Sequence, residues 1–380
     1  MPLVESYLGF QALELDINKP HTIKRLGLER PRQIVTFFQD QLDFTELVLI
    51  ACDEFDHFRH RESRGNQPVS SPHLAMSIQQ RLLVVGGNGF VGSAVCKQAL
   101  SRGWEVISIS GSGRPFRTPR GHAPTWTTSD KMQWHKADAF DKDAYRDLAA
   151  SCTAAVHTVG ILMESNYKGQ QGSSMGAVRG LMKGWGLASS NPLASDGQEA
   201  ITYERMNRDA AITVAETFKE AHASTESGNP LPFVVMSAAD IMRPLISARY
   251  TSTKYEAEQY IEEHAGHILR PVFMRPGLMY HPHNRPWSTI PATMIDLSYN
   301  LHKMHRRWKV PIPSPADVLR SSLIPAAFHP LSGALTTPAL HVDTVATAIC
   351  ESISRPEVRG AQLSESIRQL AGWPAETDAA

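Results

Sequence analysis

Apolar and polar positions along the chain alternate at two periods, and each change of period marks an element. Leu82 to Val85 is an unbroken apolar run of the length expected for a parallel strand covered on both faces. Behind it, Val91, Val95, Ala99 and Leu100 recur at helical spacing within Phe90 to Arg102, and Trp104 to Ile109 returns to a strand pattern. The same reading predicts strands at Met132 to Lys136, Ala154 to Val159, Phe233 to Met236 and Ile268 to Met274. Helices are predicted over Lys142 to Leu148, over Tyr203 to Ala221, through Tyr250 to His264 and from His341 to Ile353. In the second of these, Met206, Ala210, Ile212, Val214, Ala215 and Phe218 supply the buried face.

Strands and helices in this order predict an α/β protein with a Rossmann-like, doubly wound parallel sheet. The Rossmann domain is expected at 79–285, a small C-terminal cap or substrate region interleaved with the core at 286–360, and a tail at 361–380 that frays after Trp373. In the cap, Ile290, Met294, Ile295, Leu297, Leu301 and Met304 mark one helical face, with Lys303, His305, Arg306, Arg307 and Lys309 at its end. Such a helix covers an apolar substrate, rests on a membrane surface or packs on the core. Pro311 to Pro338 reads as irregular. Residues 1–75 read as an extension, helical in part over Arg32 to His60 or weakly ordered, with a polar linker at Gly65 to His73. An equally economical reading begins the domain near Met76. The Gly- and Ser-rich stretch from Glu164 to Glu199 is either a lid or disordered.

Composition narrows the function classes. The 38 basic and 38 acidic residues cancel, leaving no overall field to attract nucleic acid. The four cysteines, Cys52, Cys96, Cys152 and Cys350, form no C-x-x-C pair and read as buried thiols rather than a disulfide framework or zinc site. His57 and His60 fit a solvated helix face better than a metal site. No stretch approaches the ~18 consecutive apolar residues of a spanning helix. The first residues lack a signal-peptide pattern, and Glu5, Glu14 and Asp16 sit badly with a transit peptide. These features describe a soluble or peripheral protein.

The chemistry begins at the first strand. Gly86, Gly87, Asn88, Gly89, Phe90, Val91 and Gly92 follow it at once and open a helix, which is the context a dinucleotide-binding turn requires. Glycines there permit the sharp turn, the close approach of a pyrophosphate and the packing of helix on strand, and the phosphates meet free N–H groups at the helix start. After the second strand, no acid occurs from Val106 through Ser129, where an NAD site usually places one for the ribose hydroxyls. Ser110, Ser112 and Arg114 stand there instead and suit a 2′-phosphate, which favours NADP over NAD. Asp138, ending the third strand, suits either an adenine contact or a helix cap. His157, Val159 and Gly160, at the carboxyl end of the fourth strand, are expected to line the cofactor groove, with a hydrogen-bonded core histidine as the alternative for His157. Tyr250 and Lys254, four apart on one helix, share a face, and a neighbouring ammonium would draw a phenol toward working range as a proton donor.

Together these signatures resemble the short-chain dehydrogenase/reductase superfamily in its extended or atypical branch, the NAD-dependent epimerase/dehydratase-like proteins, over roughly residues 79 to 360. GGNGFVG, the strand end at Asp138, Asn207 in NRDAAI, Tyr250 with Lys254, RPG at Arg275 to Gly277 and HVDTVATAI fall in the order of that branch. SGSGRP, VHTVGILMESNYKG, TYERMNRDAAI and SAADIMRPLISARYTSTKYEAE are most similar to the fungal mitochondrial coenzyme Q biosynthesis subunit of that superfamily. The nucleotide-binding accessory subunit of respiratory complex I is a wider relative. The resemblance implies Gly86, Gly89 and Gly92 at the pyrophosphate, Ser110 and Arg114 at the adenosine ribose or its phosphate, Lys254 at the nicotinamide ribose and Tyr250 as proton donor. It also implies a polyprenylated quinone precursor as substrate, a multiprotein ubiquinone-synthesis complex as partner, and a matrix-facing mitochondrial location peripheral to the inner membrane. One departure matters. Active members keep Ser or Thr just beyond the strand-end serine, where this chain has Ala238 and Ala239, leaving Ser237 as the candidate hydroxyl. Two functions follow: an oxidoreductase, or a catalytically silent nucleotide-binding subunit.

Overall fold

A computed structural model describes residues 80–162, 202–224, 229–308 and 313–374. The extension expected at 1–75, the stretch from Glu164 to Glu199, and Cys52, His57 and His60 lie outside the described residues. Strands β1 (Arg81–Val85), β2 (Glu105–Ser110), β3 (Met132–Lys136), β4 (Ala154–His157), β5 (Leu231–Met236) and β6 (Leu269–Arg275) fall where the apolar runs placed them. With β9 (Gly360–Leu363) they form one sheet in the order β3-β2-β1-β4-β5-β6-β9, parallel throughout. The order reverses between β1 and β4, so the carboxyl ends of those strands open a crevice at the switch point.

Alternate strand residues face opposite layers, as the pleat requires. Leu82 and Val84 of β1, Val234 of β5 and Val272 of β6 pack beneath helices α1 (Phe90–Ser101) and α8 (Val342–Ser354). Leu83, Val85, Phe233 and Phe273 pack on the other face beneath α2 (Arg146–Ala150), α3 (Ala210–Ala221) and α4 (Ala248–His264). The buried Arg270 of β6 binds the far end of α8, donating to the carbonyls of Ser352 (3.0 Å), Ile353 (3.0 Å) and Val358. A cation at a helix carboxyl end meets carbonyls that lack helical partners.

The remaining elements are the two-residue strands β7 (Met279–Tyr280) and β8 (Leu340–His341), which pair with each other, and helices α5 (Thr289–Trp308), α6 (Pro315–Arg320), α7 (Leu331–Thr336) and α9 (Ser364–Leu370). Several elements depart from the sequence reading. Lys142 to Leu148 is not one helix: Lys142–Ala144 forms a 3-10 turn capped by Asp141, and α2 begins only at Arg146. The first part of Tyr203 to Ala221 is a π-helical segment, Glu204–Asp209. The proline-rich stretch from Pro311 to Pro338, read as irregular, holds α6 and α7; Pro315 occupies the first turn of α6, where its missing N–H is harmless. The residues assigned to a tail at 361–380 include most of β9 and all of α9, whose Ile367 and Leu370 are buried in the core. With the pattern G-A-Q-L, β9 carries almost no apolar signal because it is an edge strand, exposed along one side. Cys96, Cys152 and Cys350 are buried free thiols, and no helix among the described residues is long and apolar enough to cross a membrane.

Candidate dinucleotide and proton-transfer site

The site grows from the end of β1. Gly86 takes φ +88°, the left-handed region that disfavours side chains, and a Cβ there would stand 2.8 Å from Thr158 Oγ1. Thr158 donates its hydroxyl to Val85 O at 2.8 Å, so the ends of β1 and β4 are tied together. Gly92 meets a different demand: a Cβ would lie 2.2 Å from Gly86 O and 2.7 Å from Gly87 Cα, and only a bare α-carbon lets α1 approach its own turn. Gly89 is the N-cap of α1 and makes no side-chain cap, and the first turn carries no acid, so no side chain caps the amides at the helix start. An uncapped helix start suits an anion, and the glycines present fit the pyrophosphate of a dinucleotide.

Asn88 donates to Ser112 Oγ at 2.9 Å, joining the glycine turn to the loop after β2. Within that loop Ser110 Oγ accepts from Gly113 N at 3.1 Å, and Gly113 sits at φ +64° pressed against the Lys136 backbone. Arg114 is exposed; its backbone N–H donates to Ser112 Oγ at 3.3 Å, and its guanidinium engages no partner among the described residues. Asp138 is exposed and caps a turn, accepting from Phe140 N at 3.1 Å, while Asp141 caps the 3-10 segment that follows.

At the end of β4, Gly160 brings two side chains together. A Cβ on it would lie 2.9 Å from Asn207 Oδ1 and 3.2 Å from Lys254 Nζ. Asn207, buried on the π-helical turn, accepts from Ile161 N (2.8 Å) and donates to Ile161 O (3.0 Å), fixing the loop after β4. Lys254 is buried on α4 and donates to Met236 O at 2.8 Å, which sets its ammonium at the carboxyl end of β5. Burial lowers its pKa from 10.5 to about 8, with Glu258 pulling the other way. His157 is also buried, and its ring nitrogens make no hydrogen bond. Burial first, then the Lys254 ammonium, lowers its pKa to about 3, with the adjacent Val159 backbone opposing. His157 is thus a buried core imidazole held neutral beside the Val159 backbone and the Lys254 charge.

Tyr250 is held by an edge-on contact with Tyr203 (centroids 6.1 Å apart), and Lys254 Nζ lies 5.6 Å from its ring centroid. Burial raises the phenol above its usual range, with Tyr203 adding to the shift. This direction is opposite to the downward pull expected of Lys254, whose ammonium lies over the ring face and donates to the Met236 carbonyl. Ser237, the first residue after β5, is buried and its hydroxyl has no hydrogen-bond partner. Three contacts fix α4 against this end of the sheet: Lys254 on Met236, Tyr255 Oη donating to Ala238 O at 3.1 Å, and Arg275 paired with the buried Glu258 at 2.5–3.1 Å.

Arg285 escaped the sequence reading. Its guanidinium lies 3.9 Å over the Phe90 ring at the start of α1, and burial lowers its pKa. Its signal in sequence is only a cation ten residues beyond Arg275, with nothing to tie it to the glycine turn 195 residues earlier. Among the described residues no group of His, Cys, Asp and Glu can hold a metal ion.

A family model described as the NAD dependent epimerase/dehydratase family matches residues 82–171. A relative in Saccharomyces cerevisiae, MIOREX complex component 2, is 31% identical over 297 residues, covering 76% of this chain and 98% of that protein. An uncharacterized chloroplastic protein of Arabidopsis thaliana is 25% identical over 294 residues, covering 77% of each. Among solved structures, a short-chain dehydrogenase/reductase family oxidoreductase from Burkholderia thailandensis aligns with TM-score 0.44 and 13% identity, covering 77% of this chain and 93% of that one. Thermus thermophilus UDP-glucose 4-epimerase, in complex with NAD, aligns with TM-score 0.40 and 15% identity, covering 78% of this chain and 85% of that one. With its glycine turn, its parallel sheet and its near full-length match to the yeast protein, the chain belongs to the NAD dependent epimerase/dehydratase family of short-chain dehydrogenase/reductase-like proteins.

Proposed function

We propose that the chain binds a nicotinamide dinucleotide in the crevice at the carboxyl ends of β1 and β4, and acts with it in mitochondrial ubiquinone synthesis on a polyprenylated quinone precursor. The observation that carries the binding reading is the uncapped start of α1 at Gly89, where side-chain-free residues leave backbone amides open to a diphosphate. Arg285, beside Phe90, adds positive charge to that region. NADP is preferred to NAD on the strength of Arg114, which has no carboxylate near it in sequence and follows the Ser110–Gly113 turn. The ubiquinone role, the mitochondrial location at the matrix side of the inner membrane and membership of a multiprotein complex rest on the family resemblance. The name of the yeast relative, a complex component, agrees with the last of these.

As an oxidoreductase, the chain would work as follows. A bound nicotinamide supplies or accepts the hydride. Lys254 holds the adjoining ribose with its ammonium, Tyr250 gives a proton from its phenol to the substrate oxygen, and Ser237 supports that oxygen with its free hydroxyl. The raised phenol and Ala238 with Ala239 favour a second reading, in which the chain binds the nucleotide without turning it over and serves its complex as a structural or regulatory subunit.

Calorimetry and cellular complementation separate these readings. Gly89→Asp places a carboxylate at the helix start and should abolish NADPH binding, whereas Tyr250→Phe should leave it unchanged. If Tyr250→Phe also stops ubiquinone production, the oxidoreductase reading holds. If production persists in Tyr250→Phe but fails in Gly89→Asp, the silent reading holds. Tighter binding of NADH than NADPH would overturn the role of Arg114, and no heat with either would overturn the binding reading itself.

A further inference from the structure

Helix α5 has two apolar sides, and only one is used. Ala292 and Ile295 join Leu278, Tyr280 and Ala339 in a small buried cluster, and Asp296 turns the same way to accept from Ala339 N at 3.0 Å. On the opposite side Ile290, Met294, Leu297, Leu301 and Met304 follow one another at spacings of three and four, forming a continuous stripe about 21 Å long. The helix packs on the core through Ile295, which the sequence pattern placed on the same face, but these five do not: Met294 is 69% and Leu297 59% exposed, and the other three exceed 40%. Trp287, 64% exposed, stands just before the stripe, and the exposed cations Lys303, Arg306 and Arg307 stand at its end.

We propose that this stripe docks the protein on an anionic lipid bilayer, with α5 lying in the plane of the headgroups. The shape argues for lipid over a folded partner. The stripe is one side chain wide, built of flexible Leu, Ile and Met, and lacks the aromatic or arginine anchor set in a pocket that concentrates affinity at protein interfaces. An aromatic at one end and a cation cluster at the other match the composition of interfacial helices. Charge complements the choice: the acids between residues 286 and 336 are Asp296 and Asp317, both hydrogen-bonded within the protein, and Lys303, Arg306 and Arg307 at the end of α5 are exposed. Because no described helix can span a bilayer, the attachment is peripheral. The inference deepens the inner-membrane location proposed above by naming the surface that makes the contact, and it does not depend on the dinucleotide reading.

Flotation of the full chain with vesicles tests it, using phosphatidylcholine alone and phosphatidylcholine mixed with phosphatidylglycerol. Wild type should float with the anionic vesicles and detach as salt rises. Leu297→Glu with Leu301→Glu should cut that binding at least ~10-fold, since two charges would enter the apolar layer. Lys303→Gln with Arg306→Gln and Arg307→Gln should weaken it by roughly 100-fold on anionic vesicles. All five positions are exposed, so melting temperature should hold in both variants and serves as the folding control. Wild type failing to float overturns the proposal, as does flotation unchanged by the glutamates. It is likewise overturned if the glutamates convert a sedimenting dimer to monomer without any lipid binding, for then a second copy covers the face.

Discussion

Replacing Lys254 with Met separates a residue kept for binding from one kept for stability. The lysine is buried, and its pKa falls from 10.5 to about 8, which places the cost of burying its charge at roughly 3 kcal/mol. Its bond to Met236 O at 2.8 Å, the one it makes among the described residues, returns about 1–1.5 kcal/mol. Lys254→Met should therefore stabilise the free protein at pH 7 by about 1–2 kcal/mol in urea unfolding. The pH dependence fixes the cause. Below pH 8 both folded and unfolded lysine are protonated and the penalty stands in full. Between pH 8 and 10.5 the unfolded chain holds the proton that the folded one has released, so wild type gains roughly 3 kcal/mol as pH rises and the variant's advantage reverses. NADPH affinity should fall by about 10- to 150-fold through loss of a charged donor. A variant less stable than wild type at pH 7, with unchanged affinity, would refute this account and leave Lys254 as a brace between α4 and β5.

His157, with a pKa lowered to about 3, makes wild type lose stability as pH drops below 6.5, by about 1.4 kcal/mol per pH unit until the folded imidazole also protonates. His157→Gln should flatten this slope by about 2 kcal/mol between pH 7 and 5 in thermal or urea melts; equal slopes would show that the site accepts the proton freely. Removing one partner of the Arg275–Glu258 pair, by Glu258→Gln or Arg275→Met, should cost about 3–5 kcal/mol, because Glu258 is buried. The double variant should cost less than the sum of the two, and a double-mutant cycle in urea reads the difference.

The central strands were legible because apolar runs covered on both faces leave an unbroken signal, as in Leu82 to Val85 and Phe233 to Met236. The glycine turn was legible because its context is local, with strand, turn and helix adjacent in the chain. Contacts between distant segments were not. Arg285 on Phe90, Gly160 beneath Asn207 and Lys254, and Arg270 on the end of α8 join residues whose separations carry no period. Strand β9 was missed because an edge strand of Gly, Ala and Gln needs no apolar run. The direction of the Tyr250 shift was misread because spacing on a helix fixes which side chains are neighbours but not how much water each has lost.

Helix α8 covers the face of β1 shared with α1, and Lys97–Asp343 and Arg102–Glu351 link the two helices. These contacts join residues nearly 250 positions apart. During synthesis, then, the first strand of the sheet waits for almost the whole protein before the face it shares with α1 is fully shielded. A nascent chain paused in the cap region would present that oily face to the surrounding solution, which makes the interval before residue 342 emerges the moment when chaperones have most to hold.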